Sequence, residues 1–324
     1  MAKPVIYYLC TDPPPGEAAG GLRRIYRHVD LLNAHGYDAC VLHKRSSARP
    51  TWFEHTTPIR FYEEEPGLPV PDFMVIPEVL GPHLPVDAPG MKTIVFNQNA
   101  YYSFIGYPDD LSDLSTVYHH PGVVAAMVVS EDSRRYLAYA FPDLPIERVQ
   151  LSLDPALFYH PGQKRRQIAY MPRKRPEQIA QVLNILKFRG ALEGFDIVKV
   201  EGVGEAEAAR MLRESMVFLS AGYPEGWPLP PFEALACGCL TVGYHGLGGR
   251  EYFLPEYGFP IEIYDIVGFA RTLEEVLQRC RREPDAMDAL AKRAAEYIRT
   301  TFPPEREERE FLAMWQRLAG APPA

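Results

Sequence analysis

Short strand-like segments alternate with amphipathic helix patterns along this chain, and the alternation occurs in two separate blocks. In the first block, residues 5–10 read as a strand, and apolar residues then recur at helical spacing over residues 22–32. In the second block, residues 168–171 and 240–244 repeat the strand pattern between further helices. Strands that alternate with helices form parallel sheets covered by helices. The two blocks therefore predict an α/β protein with two parallel-sheet domains.

A loop-rich segment separates the two blocks. His160, Pro161 and Gly162 are typical of a turn, and the strand–helix alternation restarts after them. We therefore place the first domain at residues 1–160 and the second at residues 161–302, which agrees with a length of 324 residues. Ligands of such sheets bind at the carboxyl ends of the strands, so the cleft between the domains is the expected site.

Composition excludes several classes of protein. Asp and Glu number 42 against 34 Lys and Arg, and this net charge of −8 argues against nucleic-acid binding. The longest clear apolar run, residues 123–129, is far shorter than the roughly 20 residues of a membrane span. The apolar residues that follow the N-terminus read as a first strand and not as a signal peptide. The 5 scattered cysteines predict buried, reduced thiols and a cytoplasmic protein.

Two glutamates separated by seven residues stand out in the second block. Glu225 lies in a loop after the strand at 216–220, and Glu233 opens a short helix of apolar and small residues. A carboxylate drawn into such a setting needs partners, and vicinal ligand hydroxyls suit it. The alternatives are a solvated turn carboxylate for Glu225 and, for Glu233, a helix-start residue favoured by the helix dipole. The pair in this frame favours a functional role.

This stretch resembles the signature of a known enzyme family. It reads Glu-Gly-Trp-Pro-Leu-Pro from Glu225 and Glu-Ala-Leu-Ala-Cys-Gly from Glu233. The retaining GT-B glycosyltransferases of family four, the glycosyl transferases group 1, have a Glu, a Gly-aromatic-Gly-Leu-Pro loop, and a second Glu followed by Ala-Met-Ala-x-Gly. On these residues the chain is similar to that family.

The resemblance implies a fold and an activity. The fold is GT-B, with two Rossmann-like domains facing each other across a cleft, the first on the acceptor side and the second on the donor side. The last helix, residues 303–324, is expected to pack back on the N-terminal domain. The implied enzyme moves a sugar from a nucleotide diphosphate sugar to a hydroxyl acceptor, with retention of anomeric configuration and without a metal or cofactor. The implied acceptor is a carbohydrate or glycolipid, and peripheral membrane contact is compatible with it.

The resemblance also implies roles for individual residues. Glu233 binds the ribose hydroxyls, and Glu225 holds hydroxyls of the donor sugar. The loop between them faces the diphosphate; its donor-binding members are Gly226, Trp227, Leu229 and Pro230. Pro228 replaces the second glycine of the pattern and has no N–H, so Leu229 must supply any backbone donor there.

Basic residues flank the first strand of the second block. Arg173, Lys174 and Arg175 follow the strand at 168–171, where they can meet a ligand, whereas residues 164–166 precede it. Positive charge stabilises a departing diphosphate without a metal. We favour Arg173 and Lys174, together with Glu225, as the catalytic residues. A solvated basic surface is the better interpretation of 164–166 and an equal alternative for the second cluster.

Other candidates come from two glycine-rich segments. Gly20 and Gly21 follow the loop at 11–19 and begin the first helix, where free N–H groups can bind an anion, and the resemblance places them against the donor phosphate. A flexible turn explains them equally well. Residues 246–251 follow a strand and either line the diphosphate or form a simple glycine-rich turn.

Polar residues at strand ends in the first block are candidate contacts to sugar or acceptor. Glu78 follows the strand at 73–76, and Asn97, Gln98 and Asn99 end the strand at 92–97. Their polar groups can read sugar hydroxyls, and they can equally cap a loop.

Two further functions fit the same architecture. One is another enzyme, either a nucleotide-sugar epimerase, which needs no acceptor, or a phosphorylase. The other is a non-catalytic protein that binds a nucleotide sugar or another transferase, which Pro228 keeps open.

Overall fold

The computed structural model describes residues 3–11, 20–112 and 115–321. The predicted loop at 11–19 therefore lies, apart from Thr11, outside the described residues. The chain folds into two compact units, one formed by Met1–Gln150 together with Glu305–Ala324 and the other by Leu151–Pro304. Each unit contains its own parallel sheet.

The first unit is built around a seven-stranded parallel sheet. Its strand order is β3-β2-β1-β4-β5-β6-β7, and every described pairing is parallel. The elements in chain order are β1 (Val5–Leu9), α1 (Gly20–Ala34), β2 (Asp38–His43), β3 (Ile59–Phe61), β4 (Phe73–Pro77), β5 (Lys92–Asn97), β6 (Val123–Val128), α2 (Glu131–Ala140) and β7 (Ile146–Arg148). Every residue of β4 is buried, as expected for a central strand covered on both faces.

The second unit is built around a five-stranded parallel sheet of order β12-β11-β10-β8-β9. Its elements are β8 (Arg165–Tyr170), α3 (Pro176–Phe188), β9 (Asp196–Lys199), α4 (Glu205–Glu214), β10 (Ser215–Ser220), α5 (Leu229–Ala236), β11 (Leu240–Tyr244), β12 (Phe259–Ile261), α6 (Ile266–Arg282) and α7 (Pro284–Thr301). Ile168, Val217 and Val242 from three neighbouring strands form the centre of its core.

The last helix, α8 (Pro304–Ala319), belongs to the first unit. Phe311 stacks on His28 of α1 with ring centroids 4.2 Å apart, and Trp315 packs edge-on against Phe73 of β4. Burial of these large aromatic rings is the main apolar contribution that fixes α8 on this unit. Among the described residues, no helix is long and apolar enough to cross a bilayer.

Two boundaries differ from the sequence-based expectations, and both shift a candidate residue. Strand β8 begins at Arg165, so Arg165 and Arg166 lie within the strand and not before it. Helix α5 begins at Leu229, three residues earlier than predicted, because prolines are tolerated in the first turn of a helix, where backbone N–H groups have no partner inside the helix. Glu233 therefore lies in the second turn and does not open the helix.

The strand orders define where ligands bind to such sheets. In the first unit, the order reverses between β1 and β4; in the second, it reverses between β8 and β10. Open parallel sheets bind ligands outside the carboxyl ends of the strands at these reversal points. Gly20 and Glu78 follow β1 and β4, and Lys174 and Glu225 follow β8 and β10.

Candidate active site

The second unit brings together two of the predicted catalytic residues. Lys174, in the loop after β8, places its Nζ atom 2.6 Å from Oε1 of Glu225, in the loop after β10. Their side chains are 25% and 17% exposed. A charged pair at this distance is a strong, directional interaction. Because both side chains keep some exposure, the pair remains accessible to a ligand at the carboxyl edge of the sheet.

The neighbouring cations are placed differently. Arg173 is exposed, and Arg175 has a positive φ of 53° at the N-terminus of α3. A left-handed backbone is uncommon for a residue with a side chain and turns the chain sharply into the helix. Lys174 is thus the member of this cluster that the structure holds at Glu225.

A second loop fixes the backbone of Glu225. Its N–H donates to the carbonyl of Gly246 (2.7 Å), and its carbonyl accepts from the N–H of Gly248 (3.1 Å). A Cβ atom at Gly248 would lie 1.7 Å from the carbonyl oxygen of Gly226, so only glycine allows this approach. The glycine-rich segment after β11 therefore packs directly on the loop that runs from Glu225 to the start of α5, here called the signature loop.

Sequence reasoning singled out residues 246–251 but missed His245, which helps to shape this second loop. The buried His245 accepts from the N–H of Leu247 at Nδ1 (3.1 Å), and its Nε2 lies 3.4 Å from Nε of Arg250. Leu247 has φ 85°, a conformation found mostly where surrounding structure imposes it. The glycines on both sides of Leu247 were the available signal, although they do not reveal the partner loop.

The ring of Trp227, one of the donor-binding residues that the resemblance implies, is buried and does not face a ligand. The side chain is 5% exposed and packs among aromatic rings, with centroids 5.0 Å from Tyr252, 5.3 Å from Phe232 and 5.6 Å from Phe302. The ring is large and apolar, and the cluster gives it a buried position. Only the backbone of Trp227 remains a candidate contact.

Tyr252 links this aromatic cluster to both glutamates. Its hydroxyl donates to the carbonyl of Pro228, at the start of α5. Burial raises the pKa of Tyr252 well above its usual value, and the negative charges of Glu225 and Glu233 raise it further. The charges of both carboxylates therefore keep the buried Tyr252 hydroxyl neutral. This neutral tyrosine holds the signature loop through its hydrogen bond to Pro228.

Helix α5 leaves a single backbone donor in its first turn. Leu229 is the first residue of α5, and Pro230 and Pro231 have no N–H. Glu233 is half-buried, between the buried Phe232 and Ala234. The expectation that it is drawn inward is thus met in part.

In the first unit, Gln98 reaches the glycines that begin α1. Its Nε2 donates to the carbonyl oxygen of Gly21 (3.2 Å). Gly20 is the first residue of α1, and both glycines are part of the helix. The structure thus brings together two candidates that lie far apart in the sequence.

The other three candidates of this unit are buried, which argues against direct sugar contact. Asn97 is fully buried, and its Nδ2 donates to Oγ of Ser103 and to the hydroxyl of Tyr118, each at 2.8 Å. Asn99 is buried and accepts from the N–H of Tyr101 (3.3 Å), so it caps a short 3-10 turn. For Asn97 and Asn99, loop capping is the role that the structure supports.

Glu78 is likewise buried, at the end of β4. Its Oε1 accepts from the N–H of Asn99 (2.9 Å). Burial raises the pKa of Glu78 to about 7, although backbone N–H groups, including those of Gln98 and Asn99, act in the opposite direction. The carboxyl group therefore holds the neighbouring turn and changes its charge near neutral pH.

Comparisons with known proteins agree with this geometry. Residues 174–313 match the family model of the glycosyl transferase-like proteins, a range that begins at Lys174 and includes both glutamates. An alpha-1,6-glucosyltransferase of Actinobacillus pleuropneumoniae is 24% identical over 235 residues, which cover 68% of this chain and 67% of that protein. These matches identify the chain as a glycosyltransferase.

Solved structures share the fold of nearly the whole chain. Sucrose-phosphate synthase from Thermosynechococcus elongatus superposes with a TM-score of 0.69 at 13% identity, covering 98% of this chain and 99% of that one. HepE of Anabaena, in complex with UDP-glucose, gives a TM-score of 0.65 at 9% identity, covering 97% and 100%. At this identity the likeness concerns the fold, and it confirms the two parallel-sheet domains predicted from the sequence.

Proposed function

We propose that this glycosyltransferase moves glucose from a nucleotide diphosphate glucose to a hydroxyl acceptor, with retention of configuration and without a metal. The observation that carries the proposal is the Lys174–Glu225 pair at the reversal point of the second sheet. The choice of glucose rests on the glucosyltransferase relative and on the complex of HepE with UDP-glucose. UDP-glucose is therefore the first donor to test.

The charges in the site support a division of labour. Lys174 stabilises the diphosphate as the glycosidic bond breaks, and Glu225 then exchanges its bond to Lys174 for hydroxyls of the donor sugar. Glu233 accepts from the two ribose hydroxyls, and the Leu229 N–H faces the diphosphate. Arg173, which is exposed, joins the diphosphate only by reorienting its side chain.

The two domains take different substrates in this proposal. Residues 161–302 bind the nucleotide sugar, and residues 1–160 face the acceptor, a carbohydrate or glycolipid. Retention follows from attack on the face that the diphosphate leaves, with the departing diphosphate helping to remove the acceptor proton.

A thermal-shift screen tests the donor assignment. The protein is heated with the UDP-, GDP-, ADP- and dTDP-forms of glucose, and a ligand at about 100 times its Kd adds about 2.7 kcal/mol of stability. We expect UDP-glucose to give the largest shift and EDTA to leave turnover unchanged. Absence of a shift with all four nucleotides would contradict the proposal and favour a non-catalytic protein.

Glu233→Ala tests the ribose contact. Loss of hydrogen bonds to a charged group costs about 1.5–3 kcal/mol each, so the Kd for UDP-glucose should rise at least about tenfold. Glu256→Ala, at an exposed glutamate of the same unit, is the matched control and should leave the Kd unchanged. A changed nucleotide sugar released without acceptor would identify an epimerase instead.

A further inference from the structure

Glu78 has no place in the proposed contacts to substrate, because its side chain lies inside the first unit. The residue is 7% exposed, at the carboxyl end of β4 and next to the reversal point between β4 and β1. A carboxyl group is rarely buried unless its oxygen atoms are used. The partner that the structure shows is the N–H of Asn99, 2.9 Å from Oε1.

The turn over residues 97–99 is anchored on both sides of Gln98. On one side, the Asn97 amide donates to Ser103 and Tyr118 at 2.8 Å. On the other, Glu78 holds the backbone of Asn99. The residues that make these hydrogen bonds are buried, so water does not compete with the bonds.

Gln98 itself is half-buried and leaves this anchored turn toward α1. Its Nε2 donates to the carbonyl of Gly21 at 3.2 Å. A Cβ atom at Gly21 would lie 2.8 Å from Oε1 of Gln98, so the two residues are in close contact. A side chain at position 21 would thus displace the Gln98 amide.

We propose that Glu78 and Gln98 are positioning residues: the buried carboxylate fixes the 97–99 turn, and Gln98 transmits that order to the glycine turn that begins α1. The inference goes one step beyond the proposed function, because it is the family resemblance that places Gly20 and Gly21 against the donor phosphate. A first turn that is already ordered loses less conformational freedom when a phosphate binds, which strengthens binding without a direct contact from Glu78.

The charge of Glu78 matters for this role. An ionised carboxylate is an acceptor only and suits the backbone N–H groups that face it, whereas the amide of Glu78→Gln brings N–H donors toward other donors. Burial raises the pKa of Glu78 to about 7, so ionisation of the carboxyl spans neutral pH. Burial raises the pKa of Tyr118, on the neighbouring 3-10 turn, and the charge of Glu78 raises it further, so Tyr118 stays neutral over this range.

Hydrogen exchange of α1 tests the positioning directly and needs no substrate. The N–H groups of Arg24 and Ile25 bond to the carbonyls of Gly20 and Gly21 within the helix. We expect Glu78→Gln and Gln98→Ala each to speed exchange of these two amides at least about fivefold, and the double variant to add little further, because the residues act in series. Gln98→Ala removes a half-buried side chain and keeps the test valid if Glu78→Gln folds poorly.

Glu54→Gln, at an exposed glutamate of the same unit, is the control and should leave exchange unchanged. Unchanged exchange in Gln98→Ala, or additive effects in the double variant, would overturn the inference, because a merely structural Glu78 has no need of Gln98.

Calorimetry with UDP-glucose separates this inference from the proposed function. Between pH 6 and pH 8 the wild-type affinity should rise several-fold as Glu78 ionises, and the affinity of Glu78→Gln should be low and nearly independent of pH. If wild-type protein binds UDP-glucose with the same pH dependence as Glu78→Gln, the link to the donor is wrong. If the wild type does not bind it at all, while the exchange results hold, the donor assignment fails and the positioning of α1 stands.

Discussion

The two units hold their candidate residues by different means. In the second, Glu225 is fixed by backbone hydrogen bonds to Gly246 and Gly248 and by aromatic packing beneath the loop. In the first, buried polar side chains have this role: Glu78 accepts a hydrogen bond from the turn beside α1, and Glu307 of α8 pairs with Arg24 of α1. A site fixed by backbone contacts should be sensitive to added side-chain volume, whereas one fixed by side chains should be sensitive to lost charge.

The largest effect is expected at Glu307 of α8. Its buried carboxylate lies 3.3 Å from both Nη1 of the buried Arg24 and Nε of Arg27. Glu307→Ala leaves Arg24 without this counter-charge, and removal of one partner of a buried pair costs about 3–5 kcal/mol.

The matched control is Glu308→Ala, which breaks an exposed contact to His35 and should cost less than about 1 kcal/mol. Urea unfolding, with hydrogen exchange to assign the loss to the first unit, measures both. Equal losses of stability in Glu307→Ala and Glu308→Ala would contradict the claim that a buried charge fixes this unit.

Gly248→Ala should produce the next largest effect. The added methyl overlaps the carbonyl of Gly226, and overpacking that forces the backbone to move costs about 3 kcal/mol. Gly202→Ala in the same unit has open space and a φ of 67°, so it incurs only the left-handed strain of about 1–2 kcal/mol. Thermal unfolding compares the stability of the two variants. A smaller loss of stability in Gly248→Ala would show that the two paired loops can move apart to accept the methyl group.

Lys174→Ala tests whether the cation held at Glu225 contributes to catalysis. Loss of a cation that stabilises the departing diphosphate should lower kcat about 100-fold, equivalent to about 2.7 kcal/mol of barrier. Arg173→Ala, at the exposed neighbour, should change kcat less than about fivefold. Turnover of UDP-glucose measures both, and the reverse order of effects would assign the catalytic cation to Arg173.

The smallest effect is a pH dependence in the first unit. His28 is fully buried between Phe96 and Phe311, and burial, followed by the charges of Arg24 and Arg27, lowers its pKa well below 6.5. The folded protein keeps this ring neutral while the unfolded chain binds a proton. Stability is therefore present above pH 6.5 and is lost as pH falls, by roughly 1.4 kcal/mol per pH unit at most.

His28→Leu should remove that part of the slope, measured by urea unfolding between pH 5 and pH 7. Glu78 contributes in the opposite sense: its raised pKa gives stability that is present below about pH 4.5 and lost as pH rises through about 7. This contribution is common to both proteins and cancels in their difference. His119→Leu, at an exposed ring, should leave the slope unchanged.

The sequence carried much of the fold because local patterns decide it. The predicted strands at 92–97 and 240–244 coincide with β5 and β11. The three-residue strands β7 and β12 were not predicted, since so few residues cannot show a period. Local chemistry also fixes the start of α2, where the Ser130 hydroxyl accepts from the N–H of Ser133 at 3.1 Å, as a serine before a helix commonly does.

The candidate site was less predictable where long-range partners decide a residue's surroundings. Lys174 and Glu225 could be expected to lie close, since both follow strands of one parallel sheet. The burial of Trp227 depends on Phe302, 75 residues away in sequence, and that of Arg24 on Glu307, 283 residues away. No local pattern signals such a pairing, so the burial of Arg24 could not be predicted from the sequence around it.

The assignment of α8 to the first unit has a consequence for how the protein is made. The second unit is one continuous stretch, so a ribosome can release all of it while the chain is still being extended. The first unit is interrupted, and Phe311 and Trp315 reach His28 and Phe73 only after some 300 residues have been synthesised. Until then the apolar surface that these two rings contact lacks its cover from α8, and exposed apolar surface in a partly made chain favours aggregation.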